Sequence, residues 1–258
     1  MRDTAWARRL WARAVRETFL MAILGPTMDL YTRRRIRGRE ALAGVEGPVI
    51  LVANHGSHMD TPEILRSLPW RLRRRTAVAA AADYFYRSRR RAIAVSLAFN
   101  TVPMRRHGGG LQARSTQHVD ALIDDRWSLL IFPEGTRSRD GRIGVLRSGA
   151  AVLAAAHDLA IVPVHIAGTR AAMPVGQSWP KRRPGRWPRR RHVVEIRFGT
   201  PIQLTPAEDR HAVMERVRAF YERCGAPTTP PEPGRFRAAA TDPPREPAAK
   251  EAAAGRRS

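Results

Sequence analysis

Cysteine is nearly missing from this chain of 258 residues: Cys224 stands alone. That excludes an internal disulfide and a thiolate-built metal site. No stretch reaches the roughly 18 uninterrupted apolar residues of a conventional transmembrane helix. The amino end has no small-residue cleavage site after an apolar region, which argues against secretion and leaves the cytoplasm as the expected compartment. Acidic residues are also scarce, 23 against 46 Lys and Arg, for a formal net charge of +23. Lysine itself occurs only at 181 and 250, so the positive charge is almost all arginine. Such a surface attracts polyanions, either anionic lipid headgroups or nucleic acid. No Gly-x-Ser-x-Gly elbow occurs, and Cys224 is far from any candidate site, so a nucleophile of the protein's own is not in evidence.

Against these absences, hydrophobic residues make up 43% of the chain, enough for a real core. Strand candidates lie at 48–53, 76–80, 128–132, 161–166 and 193–198, with helical patterns between them at 62–68, about 83–98, 111–125 and 147–158. This alternation predicts a single α/β domain with a mostly parallel central sheet flanked by helices. Leu111, Ser115, Val119, Leu122 and Ile123 fall on one helical face. Thr205-Pro206-Ala207-Glu208 reads as a capping box opening the last helix, whose Val213, Val217, Phe220, Tyr221 and Cys224 share a face.

Residues 1–24 form an amphipathic helix by pattern. Trp6, Leu10, Trp11, Ala14, Val15 and Met21 share one face, and Arg9, Arg13 and Arg16 the other, until Gly25-Pro26 is expected to stop it. Tryptophan opposite arginine suits a helix lying in a membrane interface, and Arg33 to Arg35 suit anionic headgroups. The competing reading is an ordinary helix packed on the domain. The expected division is a membrane-associating segment over 1–36, a domain over 37–225, and a disordered Pro/Ala-rich basic tail over 226–258. Trp179 to Arg191 mixes aromatics and arginines in a proline-broken loop, a composition shared by membrane interfaces and single-stranded nucleic-acid binders.

Chemistry gathers at Asn54-His55-Gly56-Ser57-His58-Met59-Asp60. The segment follows an apolar strand and precedes Thr61-Pro62-Glu63, read as N-cap, first helical position and first-turn acid. On a continuous helix His55 and Asp60 would diverge by about 140°. On a strand-to-helix turn they can meet, as a general base and the acid that orients it. A proton acceptor without a protein nucleophile points to an attacking hydroxyl on the substrate. The bland alternatives are a core histidine and an aspartate that only caps the helix. His58 lacks companion ligands for a metal and reads as a surface or supporting histidine.

A second group, Phe132-Pro133-Glu134-Gly135-Thr136-Arg137-Ser138-Arg139, follows another apolar strand and should emerge at the same sheet edge. Arg137 has a fork suited to phosphate, and Glu134 could hold an arginine or accept from a substrate hydroxyl. A salt-bridged turn using Gly135 for its geometry is the alternative. Asn100-Thr101-Val102-Pro103-Met104-Arg105-Arg106 reads by itself as a basic loop, and Arg147 within Leu146-Arg147-Ser148-Gly149 is a weaker candidate.

In this order the pieces resemble the lysophospholipid/glycerol-phosphate acyltransferase family over roughly 36–205. The resemblance rests on Asn54-His55 with Asp60, on Phe132 to Ser138, on Ile161-Val162-Pro163-Val164 through Gly168-Thr169, and on Phe198-Gly199-Thr200-Pro201-Ile202. It implies a fatty acyl transfer from acyl-CoA or acyl carrier protein to a free hydroxyl of a lysophospholipid such as 1-acyl-glycerol-3-phosphate. It also implies His55 as general base, Asp60 as its support, and Arg106, Glu134, Gly135, Thr136 and Arg137 around the phosphate-bearing acceptor. Neither a metal nor a cofactor is implied beyond the acyl donor, and nucleic acid is not an expected partner. The family's second block often carries an acid before its arginine, where this chain has Arg105. Members are usually membrane-bound, so the expected location is the cytoplasmic face of the cell membrane, peripheral or monotopic. The alternative is a basic protein that binds nucleic acid or anionic lipid without catalysis.

Overall fold

The computed structural model describes residues 4–81, 88–104, 113–185, 191–205 and 208–229. Seven strands form one sheet: β1 (Thr32–Arg37), β2 (Ile50–Ala53), β3 (Thr76–Ala81), β4 (Thr101–Met104), β5 (Ser128–Ile131), β6 (Ile161–Ala167) and β7 (His192–Phe198). Their order is β1-β7-β6-β2-β5-β3-β4. The run from β6 to β4 is parallel throughout, β7 lies antiparallel to β6, and β1 parallels β7. The expected α/β domain with a mostly parallel sheet is the observed one.

The five expected strands are present, and two more were not anticipated. β1 reads TRRRIR and exposes most of its side chains, so it carries no apolar alternation. It is an edge strand recruited by backbone pairing with β7, Thr32 opposite His192 through Arg37 opposite Arg197. The expected division after residue 36 therefore falls inside a strand. β4 is four residues long and contains Pro103, a residue the sheet tolerates because β4 is the opposite edge. What read as a basic loop thus begins as a strand.

Alternate residues of the central strands feed two apolar layers, as a period of two requires. Ile50 and Val52 point to one layer, where α6 (Ala113–Asp124) supplies Val119, Leu122 and Ile123, α7 (Gly149–Ala156) supplies Leu153, and α9 (Arg210–Arg223) supplies Val213, Val217 and Tyr221. Leu51 and Ala53 point to the other, against Ile64 and Leu65 of α3 (Asp60–Ser67) and Leu20 of the amino-terminal segment. Between α3 and β3 runs α4 (Trp70–Arg74), and α5 (Arg89–Phe99) leads into β4.

Helix starts differ from expectation at two places. α3 begins at Asp60, and Glu63 N–H donates to Met59 O (3.1 Å) as its first full turn. Thr61 and Pro62 both fall inside that turn, where backbone N–H groups need no helical partner and proline is tolerated. Thr205 does not cap the last helix: α9 starts at Arg210, with the Asp209 carboxylate accepting from His211 N–H (3.2 Å). Glu208 still reaches back to Thr205 N–H (3.3 Å), so the reciprocal contact forms one turn ahead of the helix. Pro206 and Ala207 lie outside the described residues, as do 82–87, 111–112 and 186–190 of the basic loop before β7.

The amino-terminal segment is a chain of short helices. A 3₁₀ turn (Ala5–Arg8) leads to α1 (Leu10–Thr18), a π-helical stretch (Phe19–Leu24), and α2 (Gly25–Asp29). Gly25-Pro26 does not stop it. The wider π turns precede Pro26, which sits at the start of α2, where a missing N–H is tolerated. The segment leaves its apolar face uncovered: Leu10 is 74% and Trp11 52% exposed, with Val15, Met21 and Ile23 also out. Arg16, 7% exposed, turns inward and donates to Leu97 O (3.0 Å) and Ser96 O (3.3 Å) of α5 and to Ala7 O (2.6 Å). Burial, with repulsion from Arg13 and Arg8, lowers its pKa to about 10. Arg73 of α4 pairs with Glu17.

Glu63, fully buried, ties α2, β1 and α3 together. It accepts from Thr32 Oγ1 (3.0 Å) and faces Arg34 (3.4 Å) and Arg66 (3.7 Å), while Arg66 pairs with Asp29 (2.8 Å). At the other end the first residues of the expected tail are packed. Ile143 N–H donates to Pro227 O (2.8 Å) and Thr229 N–H to Ile143 O (2.8 Å), so 226–229 adhere to the domain. Residues 230–258 are outside the described residues.

Candidate active site

Because β2, β5 and β6 run in parallel as neighbours, their carboxyl ends deliver Asn54–Asp60, Pro133–Ser138 and Gly168-Thr169 to one rim. Such edges of open α/β sheets are where ligand sites form. β4 ends at the same rim, and Arg105 and Arg106, which follow it in sequence, are outside the described residues.

The turn after β2 brings the expected pair together. His55 Nδ1 lies 2.8 Å from Asp60 Oδ2. The same oxygen accepts from Gly56 N–H (2.7 Å) and Ser57 N–H (2.8 Å), and Asp60 Oδ1 accepts from Thr169 Oγ1 (2.6 Å). Asp60 has no solvent exposure. Burying a carboxylate costs several kcal/mol unless its lone pairs are satisfied, and four donors converge here to do so. An acceptor-only carboxylate against Nδ1 assigns the Nδ1–H tautomer, which leaves Nε2 with its lone pair. Among the described residues Nε2 has no hydrogen-bond partner, and the His55 side chain is 18% exposed. Its ring stacks on Phe132, centroids 4.1 Å apart and planes 23° off parallel.

Glu134 sets the backbone of this turn. Its Oε1 accepts from His55 N–H (2.8 Å) and its Oε2 from Gly144 N–H (3.0 Å), with the residue 9% exposed. Burial pushes its carboxyl up from the ordinary range, against the pull of those two N–H groups. Ser138 N–H returns a bond to His55 O (2.8 Å), so His55 is held at both backbone ends by the turn after β5. Gly135 allows that turn with φ +69°, and a Cβ there would sit 3.5 Å from the Arg147 guanidinium carbon. Arg147, weak by sequence, thus stands beside the Glu134–Arg137 turn. Thr136 is exposed and Arg137 half-buried. Arg137 and His55 repel a proton from His58, whose pKa burial already lowers, to about 4 in all.

Asn54 closes the gap on the β6 side, donating from Nδ2 to Ile166 O (2.9 Å) and accepting at Oδ1 from Ile166 N–H (2.8 Å). Ser57 Oγ donates to Met173 O (2.7 Å), anchoring the turn to the end of α8 (Thr169–Ala172). Met59 packs with Met28, Ala172 and Met173, with Leu24 against them, so the amino-terminal helices reach the same rim. Thr169, Ser57, Asn54 and Gly144 were not singled out as individual functional residues from the sequence. Only the Asn beside His55 and the Gly168-Thr169 pair closing an apolar strand signalled them. Among the described residues no three His, Cys, Asp or Glu side chains are placed to hold a metal ion.

Residues 33–167, about half of the chain, match the family model described as Acyltransferase. The chain belongs to the acyltransferase family. This acyltransferase is 30% identical to the chloroplastic 1-acyl-sn-glycerol-3-phosphate acyltransferase LPAT1 of Arabidopsis thaliana over 142 residues, 55% of this chain and 38% of that protein. It is 30% identical over 142 residues to the chloroplastic BAT2 protein of the same description from Brassica napus, covering 55% and 39% of the two chains. A Chlamydomonas reinhardtii protein described in the same way is 28% identical over 171 residues, 66% of this chain and 48% of that one. The acyltransferase therefore spans less than half the length of these curated relatives. Its fold is that of the 1-acyl-sn-glycerophosphate acyltransferase PlsC from Thermotoga maritima, with a TM-score of 0.61 at 20% identity over 87% of this chain and 82% of that one.

Proposed function

We propose that this acyltransferase moves a fatty acyl group from a thioester, acyl-CoA or acyl carrier protein, to the free hydroxyl of a lysophospholipid such as 1-acyl-glycerol-3-phosphate. The observation that carries the reading is the His55–Asp60 contact at 2.8 Å, which leaves Nε2 as the proton acceptor at the rim. His55 Nε2 takes the hydroxyl proton as the oxygen attacks the thioester carbonyl. Asp60 holds the tautomer and stabilises the imidazolium. When the tetrahedral intermediate collapses, the C–S bond breaks and the imidazolium returns the proton to the departing thiolate. The acyl group ends as an ester on the acceptor.

Arg137, with Gly135 and Thr136 at the same turn, receives the phosphate end, and Arg106 joins it from the segment after β4. Glu134 serves the site by fixing the backbone of His55 and Gly144. The enzyme sits as a peripheral or monotopic protein on the anionic cytoplasmic face of the membrane. What supports this is the exposed apolar face of α1 and the π-helical stretch, with Leu10 and Ile23 outermost and Trp11 beside Leu10, a composition suited to the headgroup boundary. Among the described residues no helix is long and apolar enough to cross a membrane.

The test is an assay of purified protein with labelled acyl-CoA and acyl carrier protein against a panel of lysolipids in mixed micelles. The expected product is a diacyl phospholipid, formed fastest from a phosphate-headed lysolipid. Hydrolysis of the thioester without ester formation on any acceptor would overturn the reading.

A further inference from the structure

One oxygen of Asp60 faces His55, and the other has a partner of its own. A carboxylate turns readily about its last bond, whose torsional preference is broad and two-fold. Oδ2 alone receives His55 Nδ1, Gly56 N–H and Ser57 N–H, while Oδ1 receives a side chain from a different strand, Thr169 Oγ1 at 2.6 Å. Thr169 is 3% exposed. Its place is set by Gly168, whose φ of +89° ends β6 and where a Cβ would lie 2.0 Å from Val193 O. No larger residue fits there, so the chain must pass close under β7 before turning into α8. That passage aims the Thr169 hydroxyl at Asp60.

We propose that Thr169 is a positioning residue for acyl transfer. Its hydroxyl locks the rotation of Asp60 so that the oxygen facing His55 Nδ1 stays in place as the imidazolium forms. The inference rests on His55 being the general base. Thr169 acts only through Asp60, so its loss should be felt in turnover rather than in the binding of either substrate. It should also be felt less where Asp60 is already gone.

The experiment uses the full chain, labelled acyl-CoA and a lysophosphatidate acceptor, with Thr169→Val, Thr169→Ala and Thr169→Ser made alone and on an Asp60→Ala background. Thr169→Val and Thr169→Ala should lower kcat about tenfold, about 1.4 kcal/mol, with both KM values within about twofold, the pattern of a contribution confined to the transition state. Thr169→Ser, which keeps the donor, should recover most of the lost kcat. On the Asp60→Ala background the valine change should cost less than about twofold more, the non-additivity of groups that act as a unit. Wild-type turnover in both Thr169→Val and Thr169→Ala, a serine variant as slow as the alanine one, or a full tenfold loss on top of Asp60→Ala would each overturn the proposal. A His55→Ala enzyme as fast as wild type would overturn the base assignment and this inference with it. An inactive His55→Ala beside unimpaired Thr169→Val and Thr169→Ala would overturn this inference alone.

Discussion

The rim of the sheet and the amino-terminal helices invert the usual arrangement of polar and apolar groups in opposite ways. At the rim, polar groups are inside: Asp60 and Glu134 are buried and their oxygens are taken up by N–H and O–H groups of the protein itself. Along α1 the apolar groups are outside, while Arg16 is buried among the carbonyls of Ala7, Ser96 and Leu97. The first inversion is satisfied internally and makes a rigid site. The second is left open, and in the proposed reading a lipid surface covers it. The two regions should therefore respond to mutation in different assays.

The largest effect of this set is expected at Glu134. In Glu134→Gln the amide keeps one acceptor and presents an NH₂ to one of the two backbone N–H groups, leaving it unsatisfied. Turnover should fall about tenfold to a hundredfold and stability by about 1–3 kcal/mol, read by initial rates and urea titration, with vesicle binding unchanged. Loss of vesicle binding with intact turnover would erase the distinction between the regions.

At the helix, Arg16→Ala should cost about 1–3 kcal/mol of stability by removing a charged donor to three carbonyls. Hydrogen exchange should rise in α1 and at the end of α5 before it rises in the strands around His55. If protection at the rim falls first, the helix and the site are one cooperative unit.

Acidification should strike the domain body through His165, nearly buried on β6. Burial, with Arg197 nearby, lowers its pKa from 6.5 to about 4. The unfolded chain therefore binds more protons between those values, so stability is fully present above pH 6.5 and is lost as pH falls toward 4, by up to ~3 kcal/mol. A His165→Leu variant should make the denaturation midpoint fall less steeply over this window, leaving the share that His58, lowered to about 4 as well, contributes.

The smallest change in folding is expected at Trp11. Trp11→Ser should leave stability within about 0.5 kcal/mol, yet it should weaken binding to anionic vesicles, including the part that survives high salt. A clear loss of stability would mean that Trp11, which stacks on Trp6 with centroids 6.0 Å apart, is packed rather than presented.

The same contrast explains what could be read ahead of the structure. The parallel strands were legible because Ile50–Ala53, Ser128–Ile131 and Ile161–Ala167 are near-continuous apolar runs buried on both faces. β1 was not, because an edge strand of arginines is held by backbone pairing and leaves no apolar period. The amphipathic pattern of residues 6–21 was legible as a pattern. Its orientation was not: the contacts of Arg16 and the burial of Ala12 and Leu20 show which face meets the protein. At the site, the His55–Asp60 encounter followed from its place on a strand-to-helix turn. The attachment of Glu134 to the His55 backbone and of Thr169 to Asp60 spans 79 and 109 residues. Spacing along the chain does not carry such links.

The most direct test of the account is the turnover of His55→Ala with labelled acyl-CoA and lysophosphatidate, measured beside its melting temperature and its vesicle binding. The account predicts a loss on the order of 10²–10⁴-fold in kcat, the range of a general base, in a protein that folds and binds vesicles as the wild type does. Turnover equal to wild type in that variant would contradict it.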